Sequence, residues 1–342
     1  MNWGLGHATR CIPIINALLK HDHEVILASD GDALMLLKKE FPDLTHLELP
    51  SYQISYTKNP QLLKWKMLKD SPRILSAIKA EKNALGTLIE RYNINGVISD
   101  NRLGLYSKKI PCVFITHQLQ VLSGNTTWLS TKMHQRIIKR FDECWIPDHK
   151  FEPSLSGKMS HMDFSEMRTR YIGPISRFQK IKVEIIYDLL VILSGPEPQR
   201  SLLEKKLMAE LGSFPGKVLF VRGKLEDQSK CDVKDNMTIY NYMTRDDLQL
   251  ALNQSAMVLS RSGYTTIMDL AKLNKKAFFI PTPGQYEQEY LAQRLKSKKV
   301  VNSCSQEDFT IEKLKSIDDF SGLGNSDYEI NYKKLFGLFK CK

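Results

Sequence analysis

The sequence predicts an α/β protein built from two doubly wound domains, and three observations carry that expectation. Short apolar runs alternate with longer stretches of helical periodicity, the pattern of parallel sheets with helices on both faces. The length of 342 residues exceeds one ordinary core and suits two domains. A Gly173-Pro174 break in "YIGPISRFQK" separates a first series of runs from a second. Residues 1–173 and 174–342 are therefore expected as separate Rossmann-like domains facing a cleft, the last helix packing back on the first domain. In such sheets ligands bind beyond the carboxyl ends of the strands.

The chain opens with "MNWGLGHATRCIPIINALL". Ile12, Ile15, Leu18 and Leu19 recur at helical spacing, so a helix is expected from about residue 8 to 10, with Pro13 acceptable only near its first turn. Gly4 and Gly6 then precede a helix N-terminus, where free backbone N–H groups and the helix dipole favour an anion. His7 beside them either serves as a base, holds a ligand or caps the helix. A strand should lead into such a loop, yet three residues precede Gly4. The first sheet is expected to lack its first strand, or the natural fold to begin earlier. Strands are predicted at 24–29, 96–100, 111–116 and 143–147. Asp100 and His117 fall at the ends of successive strands, on the side where an acceptor would bind, with structural hydrogen bonding as the competing role. His21, His23 and His46 read as surface or turn residues.

In the second half strands are predicted at 188–195, 217–223, 237–242, 256–263 and 276–281, and helices at 199–211 and 265–273. "LSGPEPQR" takes a strand into a helix, with Gly195 at the turn and Arg200 as a phosphate partner. "SRSGYTTIMDL" repeats the logic. N–H groups from Gly263 to Thr266 suit a diphosphate, with the Ser262 and Thr265 hydroxyls as further donors. Asp269 suits the two hydroxyls of a ribose, and Gln288 and Glu289 suit a sugar.

Composition narrows the function classes. The net charge is +11, and residues 58–140 alone hold fifteen Lys/Arg against four Asp/Glu. Within that window Lys64, Lys66 and Lys69 interleave with Leu62, Leu63, Trp65, Met67 and Leu68, a mixture suited to an anionic membrane surface or to a solvated helix face. No RNA-binding or DNA-reading signature accompanies the charge, so nucleic acid is not expected as a partner. The six cysteines show no C-x-x-C pair and no zinc-ligand spacing, so no metal site or disulfide framework is expected. With no run of eighteen apolar residues and no signal peptide, a cytoplasmic protein is expected, peripheral to the inner membrane face where the basic window binds.

Three segments in order resemble a known family. The opening Gly-Leu-Gly-His, the "SRSG" loop with an acidic residue six positions after its glycine, and the "P…Q-E-Y" segment at 281–290 are similar to the GT-B glycosyltransferases. Within these they resemble the family 28 group that includes the enzyme transferring N-acetylglucosamine from UDP-N-acetylglucosamine to lipid I in peptidoglycan synthesis. The resemblance implies a UDP-sugar donor on the C-terminal domain, with Asp269 at the ribose, Met243 beside the base, and Gln288 and Glu289 at the sugar. It also implies an acceptor on the N-terminal domain and no obligatory metal. Asp269 stands where the family has Glu, and Glu289 where it has Gln, which leaves the donor sugar open. The second glycine loop is reduced to "SGPEPQR". "SDGD" at 29–32 mimics the metal-binding Asp-x-Asp of another glycosyltransferase fold and reads better as a turn.

The expected function is inverting transfer of a sugar, N-acetylglucosamine among the candidates, from a UDP-sugar to a lipid-linked or cell-envelope acceptor. The rivals are a catalytically silent nucleotide-sugar binder and a nucleotide-sugar epimerase. The epimerase is disfavoured because a basic turn, not Gly-Leu-Gly-His, would be expected at its opening.

Overall fold

The computed structural model describes residues 6–52, 63–162, 167–224, 226, 228–324 and 329–339, with the backbone alone for 63–71. They form two compact units, the first made of the chain up to Arg177 together with the C-terminal segment, the second of the stretch that starts at Phe178.

The first unit runs α1 (Gly6–Lys20), β1 (Ile26–Ser29), α2 (Gly31–Glu40), β2 (Thr45–Glu48), α3 (Leu63–Tyr92), β3 (Val97–Asp100), β4 (Cys112–Ile115), α4 (Thr127–Ile138), β5 (Glu143–Ile146) and β6 (Thr169–Tyr171). β1 pairs with β2, and β3-β4-β5-β6 form a second sheet; all these pairings are parallel. Among the described residues no strand bridges β1 and β3. One helix spans both sheets instead. Ala8, Ile12 and Ile15 of α1 pack with Leu27 and Leu37, while Ile14 and Ala17 pack with Val113, Ile115 and Trp145. Buried along two faces, α1 is a core helix.

The expected start of α1 is corrected by two residues and more. The helix begins at Gly6, where the Thr9 hydroxyl donates to the Gly6 carbonyl at 3.0 Å. Pro13 consequently lies in the helix interior, where it removes the donor that would have met the Thr9 carbonyl. Burial of Ile12, Ile14 and Ile15 around it outweighs that loss, as tertiary packing overrides local propensity.

The second unit runs β7 (Tyr187–Ile192), α5 (Gln199–Glu210), β8 (Val218–Val221), β9 (Cys231–Lys234), β10 (Met237–Tyr240), α6 (Arg245–Asn253), β11 (Ser255–Ser260), α7 (Tyr264–Lys272), β12 (Lys276–Phe279), α8 (Tyr286–Ser297) and β13 (Asn302–Ser303). Their order is β13-β12-β11-β7-β8-β10-β9, parallel except for the β9–β10 hairpin. Its core sets Leu189, Val191, Val218, Phe220 and Phe278 of the sheet against Leu203 and Leu207 of α5. The chain moves outward from β7 in both directions, first through β8 and β10, then through β11 and β12. The switch point therefore lies between β7 and β11, where such sheets open a crevice for a ligand.

After the second unit the chain returns. A last short helix, α9 (Tyr332–Leu335), and the turn after it lay Leu335 and Phe336 into the core of the first unit beside Trp145 and Ile172.

Candidate functional site

Four side chains converge at the carboxyl edge of the first unit's sheet. α1 carries His7 and Arg10 one turn apart on one face. Asp100 is the last residue of β3, and His117 follows β4 by two residues. Arg10 Nε donates to Asp100 Oδ2 at 2.5 Å, and Arg10 Nη2 donates to Oδ1 as well, a two-pronged pair. His7 Nδ1 lies 2.7 Å from Asp100 Oδ1. A carboxylate only accepts, so that contact puts the proton on Nδ1 and leaves Nε2 with the lone pair. Arg10 Nη2, which donates to Asp100 Oδ1, also passes 2.9 Å from His7 Nδ1 without bonding to it, because the proton on that nitrogen serves the shorter contact to Asp100; Arg10 Nη1 is 3.2 Å from His117 Nδ1. Because Arg10 only donates, His117 accepts at Nδ1 and carries its proton on Nε2.

Electrostatics follow from burial. Arg10 and Asp100 side chains are 1% and 6% exposed, whereas His7 keeps 20%. Burial opposes the charge on Asp100, but Arg10 and then His7 outweigh it and hold the carboxyl well below the usual range. Burial, then the charge of Arg10, lowers His7 to about 4 against the pull of Asp100. At neutral pH the cluster is a charged Arg–Asp pair flanking an uncharged imidazole with an open Nε2.

A second buried network braces this edge. Arg102, just after β3, donates to Glu81 of α3 at 2.6 Å, to Asp30 after β1, and to the Pro50 carbonyl after β2 at 2.7 Å. Glu81 also accepts from Tyr52 and from the Gly104 backbone. Asp30 of "SDGD" is thus paired with Arg102. No cluster of three or more His, Cys, Asp or Glu suited to a metal occurs among the described residues.

In the second unit the crevice loops are tied by Arg261, an almost fully buried residue. Its guanidinium donates to the carbonyls of Ile280, Pro281 and Gln199 and to Gln306 Oε1, joining the ends of β11 and β12 to the start of α5. Burial lowers its pKa to about 10. Gly263 caps α7 in extended conformation, and Thr265 and Asp269 lie one helical turn apart on that helix. The Ser262 hydroxyl donates to the Gln288 carbonyl at 2.8 Å. Gly195, at φ +102°, occupies backbone space that disfavours a side chain. Met243 follows β10, further along the same edge.

Arg200 has other work than the phosphate contact expected of it. It is buried, and it donates to Glu197, to Glu204 at 2.8 Å, to the Arg222 carbonyl at 3.0 Å and to the Ser201 hydroxyl. Two carboxylates already neutralise it, so it braces the loop after β7. Gln288 and Glu289 hold the loop that precedes α8: Gln288 Oε1 accepts from the Thr282 N–H, and Glu289, itself exposed, accepts at Oε1 from the Gly284 N–H. Gly4 and the Lys64, Lys66 and Lys69 side chains lie outside the described residues.

Residues 199–319 match the glycosyltransferase family 28 C-terminal domain. The matched residues lie wholly within the second unit. The similarity extends beyond it. Over 324 residues, 91% of this chain and 85% of the relative, the sequence is 23% identical to a UDP-N-acetylglucosamine–N-acetylmuramyl-(pentapeptide) pyrophosphoryl-undecaprenol N-acetylglucosamine transferase of Haemophilus ducreyi. Among solved structures, the glycosyltransferase of kitacinnamycin superposes with a TM-score of 0.62 at 14% identity, covering 98% of this chain and 91% of the other. The spinosyn rhamnosyltransferase SpnG, solved with thymidine diphosphate, gives 0.55 at 13% identity, covering 93% and 87%. The chain is a glycosyltransferase with the GT-B fold.

Sequence reasoning missed Arg10 and Arg261. Both are cations inside apolar stretches, "ATRCIPII" and "MVLSRSG", and a charge at the heart of such a run was the available signal.

Proposed function

We propose that this glycosyltransferase is of the family 28 type and moves a sugar with inversion from a UDP-sugar to a hydroxyl of a lipid-linked cell-envelope acceptor. The observation that carries the reading is the His7–Asp100 pair, whose 2.7 Å contact leaves His7 Nε2 as an uncharged acceptor for a proton. As the acceptor oxygen bonds to the anomeric carbon, the bond from that carbon to the diphosphate oxygen breaks and the hydroxyl proton passes to Nε2. A base held near 4 takes the proton late, once the oxygen has given electrons to the new bond. The imidazolium then gains the full attraction of Asp100. His117, oriented by Arg10, holds the acceptor.

On the second unit, the α7 N–H groups with Thr265 receive the diphosphate and its growing charge, and Gly195 lets it approach the backbone, while the buried Ser262, whose hydroxyl is given to the Gln288 carbonyl, braces the loop. Asp269 takes the ribose hydroxyls and Met243 lies at the base. Gln288 and Glu289 exchange their loop N–H partners for the sugar. Two features of similar proteins support the donor class: the Haemophilus relative is named for UDP-N-acetylglucosamine, and SpnG was solved with a nucleoside diphosphate.

A peripheral membrane position is supported by α4. Its Trp128 is 72% exposed with Lys132 Nζ 5.0 Å from the ring, and Leu129, Met133, Arg136, Lys139 and Arg140 are exposed around it, a face suited to anionic lipid. No described helix is long and apolar enough to cross a membrane. Salt-sensitive co-sedimentation with phosphatidylglycerol vesicles, reduced by Trp128→Ser with Lys132→Glu, tests this part.

The donor reading is tested by a thermal-shift panel of UDP, GDP, dTDP and UDP-sugars. A nucleotide at a hundred times its Kd adds about 2.7 kcal/mol to stability, so UDP should raise the melting temperature and GDP should not. Equal silence from every nucleotide would remove the donor assignment.

A further inference from the structure

The loop after β5 builds a feature that the His7–Asp100 pair does not use. Asp148 is fully buried, and its carboxylate gathers the loop around itself. Oδ1 accepts from the backbone of His149 at 2.8 Å and Leu155 at 3.0 Å, and Oδ2 from the Ser156 N–H and the Ser154 hydroxyl, both at 2.9 Å. From the other side His161 Nε2 sits 3.0 Å from the His149 carbonyl and 3.1 Å from that of Lys150. The Tyr171 hydroxyl donates to the Ser160 carbonyl at 2.7 Å. A segment held by so many charge-assisted bonds keeps one shape.

On this rigid base opens a cavity of about 280 Å³, walled by His149, Lys150, Phe151, Glu152, Pro153 and Tyr171. Phe151 stands at its rim with 74% of its surface exposed, although the loop that carries it is braced throughout. Exposed aromatic surface beside a concavity offers a ligand an apolar face. The position gives the scale. The cavity lies at the carboxyl ends of β5 and β6, the same edge of the same parallel sheet as Asp100 and His117. From β3 to β5 is two strand spacings, about 10 Å.

We propose that this cavity is a pyranose subsite, holding a sugar of the acceptor next to the one that reacts; the inference rests on the first unit being the acceptor side. A pyranose presents an apolar face of C–H bonds and a rim of hydroxyls, each both donor and acceptor. Phe151 supplies a flat apolar platform, with Lys150 Nζ 5.4 Å from its ring centre. Lys150 donates, and the Glu152 carboxylate, which also accepts from the Ser154 N–H at 2.9 Å, and the His149 ring complete the polar rim. The volume suits one sugar ring.

Saturation-transfer NMR on the full chain tests it, with methyl β-glucoside, methyl N-acetyl-β-glucosaminide and UDP as separate probes. At least one glycoside should take up saturation on its ring protons. Phe151→Ala should reduce that signal at least fivefold, and Phe151→Tyr, which keeps the platform, should retain it; UDP saturation should be the same in all three proteins. Because Phe151 is exposed, neither change threatens the fold, and matching circular dichroism confirms that. No glycoside signal in the parent protein, or an undiminished one in Phe151→Ala, overturns the subsite. UDP failing to bind while a Phe151-dependent glycoside signal persists counts instead against the nucleotide-sugar reading and leaves the subsite standing.

Discussion

Replacing Asp100 by Asn isolates the charge that organises the first unit's site, because shape is retained while the negative charge is lost. Arg10 donates to both carboxylate oxygens, and the two side chains are only 1% and 6% exposed. The substitution leaves the Arg10 guanidinium buried without its counter-charge and turns an amide N–H₂ toward donors. Removing one partner of a buried pair costs about 3–5 kcal/mol. For a unit of this size, each kcal/mol moves the midpoint by about 2–4 °C, so the transition of the first unit should fall by about 6–20 °C. Differential scanning calorimetry with and without UDP separates the units, since UDP should raise only the transition of the second. Activity should fall as well. With Asn at 100 the His7 Nδ1–H no longer faces an obligate acceptor, so the ring loses its fixed tautomer, and a loss of about 10²–10⁴-fold in transfer is expected. A first-unit midpoint displaced by less than about 2 °C, with transfer within about threefold of the parent, would refute the assignment of Asp100 as the organising charge.

Three further outcomes are expected. His7→Ala should cut transfer at least about a hundredfold while leaving UDP affinity within about 0.5 kcal/mol, as measured by turnover and calorimetric titration; survival of transfer would move the base to His117. Burial lowers His7 to about 4, so its proton is absent throughout neutral pH, and kcat/KM should stay flat at neutral pH and drop only as pH falls through about 4; a midpoint near the ordinary histidine value would contradict the buried imidazole. The same shift has a stability sign: the unfolded chain takes up that proton first, so the contribution is full above the unfolded pKa of 6.5 and is lost as pH falls toward about 4. Asp269→Ala should weaken UDP binding by about 1.5–3 kcal/mol without unfolding the protein, and unchanged affinity in a folded variant would remove the ribose contact.

What the sequence conceals follows a physical rule. The nine predicted strands all occur, and the four that were not foreseen, β2, β6, β9 and β13, are all edge strands. A central parallel strand is covered on both faces and reads as an apolar run, as β4 and β5 do, whereas "THLE", "TRY" and "CDVK" meet solvent and keep polar residues. Asp100 and His117 were legible because strand ends are where such sheets bind. Arg10 was not, because the expected start of α1 at 8–10 put His7 outside the helix; only a helix beginning at Gly6 sets residues 7 and 10 on one face. Arg102 and Glu81 were hidden for a different reason. Each charge alone reads as surface, and only the folded chain reveals that they bury each other.

The return of the chain to the first unit bears on the order in which the protein is made. Phe336, 1% exposed, packs against Trp145, His21 and His23, residues synthesised long before it. During translation the second unit, contiguous from 178 onward, has all of its sheet before the first unit receives its final core residues. His7, the proposed base, therefore belongs to the half whose core is completed after the sheet of the second unit.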